Sequence, residues 1–205
     1  AMFCHAPWYA DLIRKHRGPA NQSEIILWPY PIDPWPGEPL PDQYDLLIYA
    51  KNGHRQQLLE HLAEVFPRHV QIHYGQYQRE QLFEAARRSR ACAYLADDDH
   101  GPLALQEILL AGCPTVGVRT GASFARSGET GVVVDRLPPG RQCAESDEDV
   151  RALAVFMEAI EQAQALDRQT MWDRAARQFD SDRIVDSIIT AVNKDRPQGG
   201  IVTAA

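Results

Sequence analysis

The stretch with the densest chemical potential is Asp97-Asp98-Asp99-His100-Gly101-Pro102-Leu103-Ala104-Leu105-Gln106-Glu107. An apolar run over residues 91–96 ends there in acid, and a helix apolar on nearly every face follows, from Leu103 to Ala111. A helix of that pattern is buried. Gly101 permits close backbone approach, Pro102 suits a first helical position, and the unpaired N–H groups of a helix's first turn can hold an anion. Glu107 stands out because a carboxylate on so apolar a helix is costly without a partner. That partner is either a ligand, or a backbone N–H or buried arginine. Three consecutive aspartates could hold a divalent cation, but no matching ligand cluster occurs elsewhere, and a solvated acidic turn accounts for them more simply.

The elements that must position this stretch follow from periodicity. Short apolar runs predict strands from Leu46 to Ala50, Val70 to Tyr74, Ala91 to Ala96 and Thr115 to Val118. Between them, apolar residues at spacings of three and four predict helices from Gln56 to Phe66, Glu80 to Ser89 and Leu103 to Ala111. The alternation is a βαβ series, hence a parallel sheet with helices on both faces. A further strand is expected from Gly131 to Asp135, then helices from Asp149 to Ala163, Asp167 to Gln178 and Ser181 to Asn193. Ser146 with Asp149, and Asp180 or Ser181, have the residue types of helix caps. Upstream, Trp8 to His16 is a short helical pattern and Glu24 to Trp28 a strand. The proline-rich segment to Pro41 is a linker or wrapped loop, because each proline removes a ladder donor.

In open parallel sheets ligands bind beyond the carboxyl ends of the strands. The loops after Ala50, Tyr74, Ala96 and Val118 should therefore line one crevice, bringing Lys51, His54, Arg55, Gln76, Tyr77, the acidic stretch and Arg119 together. A helix N-terminus alone stabilises an anion by about 0.3–1 kcal/mol when exposed, too little for a diphosphate. Lys51 and Arg55 could add charge-assisted hydrogen bonds. The competing reading makes both solvated surface charges, and His54 and His100 ordinary loop histidines.

The chain has 205 residues, 44% of them apolar, enough for a sizeable core in one domain. The net charge of -7 argues against general nucleic-acid binding while leaving room for a local basic pocket. Cys4, Cys92, Cys113 and Cys143 are scattered without paired spacing, which favours reduced thiols over disulfides or zinc. No membrane span or secretory leader is visible, and a cytoplasmic location is expected.

Asp99-x7-Glu107, followed by Ile108 to Ala111 and Gly112-Cys113-Pro114-Thr115-Val116, resembles the acidic-x7-Glu signature of retaining GT-B glycosyltransferases of the large nucleotide-sugar-dependent group 1. Ile25 to Asp33 is similar to that family's interdomain segment. Leu46 to Arg55 resembles the first strand of its donor domain, Gly75 to Leu82 its base-contacting loop, and Ser127 to Asp135 its Gly-Glu-Thr-Gly turn. Two positions depart from the pattern: Asp99 stands where glutamate is usual, and Lys51 where arginine is usual.

The resemblance implies a Rossmann-like parallel sheet flanked by helices, one half of a GT-B architecture, with C-terminal helices. It implies a UDP-, GDP- or ADP-linked sugar as donor substrate and no required cofactor or metal. Lys51 and Arg55 would meet the diphosphate, and the amides of Gly101, Leu103 and Ala104 its distal phosphate. Glu107 would bond the ribose, Asp99 the transferred sugar, and the backbone around Gln76 and Tyr77 the base, so that Asp99 and Glu107 carry the catalytic assignment. Residues 1–23 are expected to be a remnant of a preceding domain and hinge, 24–195 the nucleotide-sugar-binding domain, and 196–205 a flexible tail. The acceptor-binding domain, with any contact it makes to the cytosolic membrane face, would then be missing, leaving a chain that binds donor weakly and does not transfer it. Two alternatives stand beside this reading: a nucleotide-sugar epimerase of the same architecture, with His100 its candidate acid or base, and a regulatory or degenerate protein-binding module.

Overall fold

The computed structural model describes residues 2–18, 24–33, 35–51, 55–139 and 146–194. Five parallel strands form the central sheet: β3 (Leu46–Ala50), β4 (His69–His73), β5 (Cys92–Leu95), β6 (Thr115–Val118) and β7 (Gly131–Val134), in the order β4-β3-β5-β6-β7. The chain passes from β3 outward to β4, then returns to lay β5 on the other side of β3. That reversal opens a crevice at the carboxyl ends of β3 and β5, where Lys51 and the acidic stretch emerge.

Both faces of the sheet are covered, and the side-chain period of two assigns each strand residue to a face. Leu47, Tyr49, Cys92 and Tyr94 point into a core shared with α3 (Arg79–Arg87), α4 (Leu103–Leu110) and α6 (Arg168–Gln178). Leu46, Ile48, Ala93 and Leu95 point into a second core, against α2 (Gln56–Val65) and α5 (Asp147–Gln164). Tyr49 and Tyr94 are in register on neighbouring strands, their rings stacked with centroids 4.9 Å apart.

Helix α4 is the most enclosed element. Leu105, Ile108, Leu109 and Leu110 are completely buried, each worth roughly 1.5–3 kcal/mol. The helix begins one residue later than Pro102 would start it: Pro102 is its N-cap, and its carbonyl accepts from Gln106 N–H at 3.1 Å. Gln106 is buried as well. Its side chain accepts from the Tyr30 N–H at 3.1 Å and donates to the Tyr30 carbonyl at 3.4 Å, fastening the segment that precedes the sheet.

A short strand that the sequence pattern did not suggest, β1 (Met2–Cys4), pairs in parallel with β2 (Ile25–Leu27); α1 (Pro7–His16) connects them. This two-stranded sheet is separate from the five-stranded one. At the other end, Ser146 caps α5 by accepting from Asp149 N–H at 3.1 Å, Asp167 caps α6 through Thr170 N–H, and Asp180 accepts from Arg183 N–H at the start of α7 (Ser181–Lys194). The Asp149 carboxyl is held below its usual range, chiefly by the Ser146 hydroxyl and then by Arg136.

Arg168 fastens this C-terminal region to the rest. Its guanidinium donates to the carbonyls of Gly112 (2.9 Å), Leu40 (3.0 Å) and Arg87 (2.6 Å) and to the Asp42 carboxylate (2.5 Å). One planar fork thus closes the end of α4, the end of α3 and the proline-rich segment together.

Candidate functional site

The crevice is built from the loops after β3, β4, β5 and β6. Glycine lets two of them touch: a Cβ on Gly121 would stand 2.0 Å from the Ala96 carbonyl oxygen, so only glycine admits this approach. The loop pair is stitched by Asp99 N–H donating to Thr120 O at 3.0 Å and by the Thr120 hydroxyl donating to Asp97 O.

Asp99 lies at the centre and is 2% exposed. Lys51 Nζ sits 2.6 Å from its Oδ1, Gly101 N–H donates to the same oxygen at 3.1 Å, and the Tyr94 hydroxyl donates to Oδ2 at 2.7 Å. Both carboxylate oxygens are therefore engaged. The buried hydroxyl of Tyr94 has its pKa pushed well up, first by burial and then by the Asp99 charge. Lys51 also stands 5.2 Å above the Tyr74 ring. Beside this pair, Arg55 grips Asp97 through two parallel N–H bonds. The two cations expected on a diphosphate are, in this structure, each paired with an aspartate of the acidic stretch.

Glu107 is buried and takes a partner from α3. Arg79 Nε donates to its Oε1 at 2.5 Å, while Arg79 Nη1 donates to the Asp33 carbonyl and the guanidinium lies 4.8 Å over the Phe83 ring. Burial raises the Glu107 pKa, and the hydrogen bond and charge of Arg79 oppose that rise. The partner is an arginine, as one of the alternatives drawn from the sequence has it, but a partly exposed one: Arg79 is 34% exposed against 3% for Glu107. Nothing in the Arg79 spacing marked it, because 28 residues separate the two.

The amides at the start of α4 divide unevenly. Gly101 N–H is given to Asp99 and Leu103 N–H to the Gly101 carbonyl at 2.7 Å, whereas Ala104 N–H has no hydrogen-bond partner among the described residues. Over Gly101 sits Tyr30: a Cβ there would fall 2.8 Å from its hydroxyl oxygen. Tyr30 is stacked at 4.2 Å on His5, whose Nδ1 is 2.7 Å from the Trp28 carbonyl. Trp8 Nε1 donates to Asp99 O at 2.9 Å. His100 is wedged edge-on to Trp8 and Tyr9, with centroids at 4.8 and 5.0 Å. An aromatic roof from the N-terminal segment thus covers the start of α4.

Gln76 and Tyr77 follow β4, and the Tyr77 hydroxyl lies 3.4 Å from that of Tyr49. Lys51, Arg55, His73, Tyr74 and Gln76 border a cavity of about 110 Å³, well under the roughly 300–1,000 Å³ of small-molecule sites. Arg119, another expected crevice residue, is directed outward to Asp11 at 3.6 Å. His54 lies outside the described residues.

No protein-family model and no curated protein matches the sequence. Solved structures do match the fold. A sucrose-phosphate synthase from Thermosynechococcus elongatus aligns with a TM-score of 0.58 at 14% identity, over 94% of this chain and 57% of its own. The lipopolysaccharide outer core galactosyltransferase WaaB, in its apo form, aligns at 0.64 and 10% identity, over 94% and 61%. The pneumococcal O-GlcNAc transferase GtfA, in complex with UDP and GlcNAc, aligns at 0.56 and 15% identity, over 94% and 44%. The fold is a Rossmann-like half of the GT-B architecture, and the chain spans less than two thirds of each of these proteins.

Proposed function

We propose that this chain is the donor-binding half of a retaining GT-B glycosyltransferase, taking a UDP-, GDP- or ADP-linked sugar weakly and transferring it only with an acceptor-binding half. The observation that carries the reading is convergence: Lys51 and Arg55 after β3, Tyr77 after β4, and α4 with Glu107 after β5 follow the carboxyl ends of three neighbouring strands. In this reading Lys51 and Arg55 turn from their aspartates to the diphosphate, Ala104 N–H meets its distal phosphate, and Glu107 accepts from the ribose hydroxyls. A departing nucleoside diphosphate gains negative charge in the transition state, so fixed cations and N–H dipoles favour transfer without a metal. Binding is weak because the diphosphate must displace carboxylates already held by the same cations.

Calorimetric titration with UDP, GDP and ADP tests this. Saturable binding to at least one, lost in Glu107→Ala and in Lys51→Ala, is expected; no binding to any, or binding indifferent to both changes, overturns it. A second reading, a protein-binding module with a closed crevice, is favoured by the seat of Tyr30 over Gly101. It predicts no nucleotide binding even when Tyr30 is replaced by alanine.

A further inference from the structure

Sharing no lining residue with the cavity beside Lys51 and Arg55, a concavity of about 660 Å³ is bordered by four arginines. Arg126 comes from the turn before β7, Arg174 and Arg177 from α6, and Arg183 from α7. Glu129 is the one acid on its wall, 3.8 Å from Arg126. Arg174 and Arg177 have no acidic side chain within ion-pair distance among the described residues, and Arg183 Nη1 is held at 3.4 Å by the Arg177 carbonyl. The nearby acid Asp186 lines a separate groove with Glu24.

The end of a helix favours cations, which accounts for Arg177 and in part for Arg174 near the C-terminus of α6. It does not account for Arg126 and Arg183, which reach the same hollow from other elements. In a chain of net charge -7, four exposed arginines border one concavity that has a single carboxylate on its wall. Guanidinium forks match phosphate oxygens in pairs, and several forks converging suit adjoining phosphates better than one carboxylate.

We infer that this concavity is a binding site for a pyrophosphate or clustered-phosphate group, distinct from the crevice and independent of the donor reading. The group can be carried by a soluble molecule or by a lipid headgroup. Inorganic pyrophosphate is the soluble probe, followed by calorimetry; vesicles of phosphatidylcholine with and without phosphatidylinositol 4,5-bisphosphate, whose headgroup carries adjoining phosphates, are the lipid probe, followed by co-sedimentation. Arg174→Gln/Arg177→Gln alters exposed positions, and its melting curve checks that the fold persists. Lys51→Ala/Arg55→Ala separates this site from the crevice.

Binding of either probe that weakens by about tenfold or more in the α6 variant, and is kept in the crevice variant, supports the site and identifies the source. Binding of neither probe overturns it. So does binding that is lost only in the crevice variant, or unchanged in the α6 variant.

Discussion

Lys51 and Asp99 are each other's partner: Nζ and Oδ1 are 2.6 Å apart, beneath the crevice that a ligand would have to enter. The lysine's charge is thus already committed, and so is the carboxylate expected to hold a sugar. Replacing Asp99 by asparagine keeps an acceptor for the Tyr94 hydroxyl and removes the competing charge. Asp99→Asn is expected to bind nucleoside diphosphates more tightly, by up to about tenfold, while losing about 1–3 kcal/mol of stability. Calorimetry and urea denaturation read the two effects separately. Weaker nucleotide binding in this variant would show that Asp99 helps the ligand instead of competing with it.

Gly101 lies under Tyr30, where an added Cβ would stand 2.8 Å from the hydroxyl oxygen. Gly101→Ala is expected to cost about 1–3 kcal/mol by overpacking. Tyr30→Phe removes the offending oxygen, so the double variant should recover most of that loss in a denaturant cycle. Additive losses would place the strain elsewhere.

Removing Arg168 takes their side-chain donor from the Gly112 and Leu40 carbonyls, while the Arg87 carbonyl keeps the Leu40 N–H and Asp42 keeps Arg90 at 3.9 Å. Arg168→Ala should destabilise by on the order of 2–4 kcal/mol. Arg168→Lys should restore less than half, since an ammonium cannot span the same set of acceptors. Thermal melts of the three chains decide this.

Glu107 is a buried acid whose folded-state pKa is raised by burial, against the pull of Arg79. An acid with a raised folded pKa favours folding in its protonated form. Its contribution is therefore fully present below the unfolded value near 4.5 and is lost as pH rises through the folded one. Relative to Glu107→Gln, which does not titrate, the unsubstituted chain should lose stability as pH rises from there toward neutrality. Paired urea melts across that interval give the slope; a gain with rising pH would mean that the ion pair with Arg79 outweighs burial.

The alternation of sheet and helix is readable because each strand is a short apolar run and each helix carries its own stripe. Leu46 to Ala50 and Leu103 to Ala111 signal themselves without reference to anything distant. Strand β1 does not: three residues exist as a strand only by virtue of β2, more than twenty positions on. The candidate site shows the same division. Residue types and loops could be named from the chain, but who pairs with whom is a long-range fact. The residue types of Asp99 and Lys51 suit a ligand, and the fold turns the two toward each other. Arg79 carried no local signal at all, and neither did Tyr30 as the cover of Gly101.

The Arg168 fork also imposes an order in time. Its bond to Leu40 spans 128 residues, and Gln164 reaches back 119 to the carbonyl of Asp45. Loops of that length close with a modest entropic cost, but only once both ends exist. On a growing chain the entrance to β3, tied earlier to the carbonyls of Arg68, Arg87 and Arg88, therefore gains its last fastenings only when α5 and α6 have been made. The start of α6 and the end of α5 are the latch on the entrance to β3, and a chain interrupted before Gln164 would leave that entrance held only by its earlier bonds.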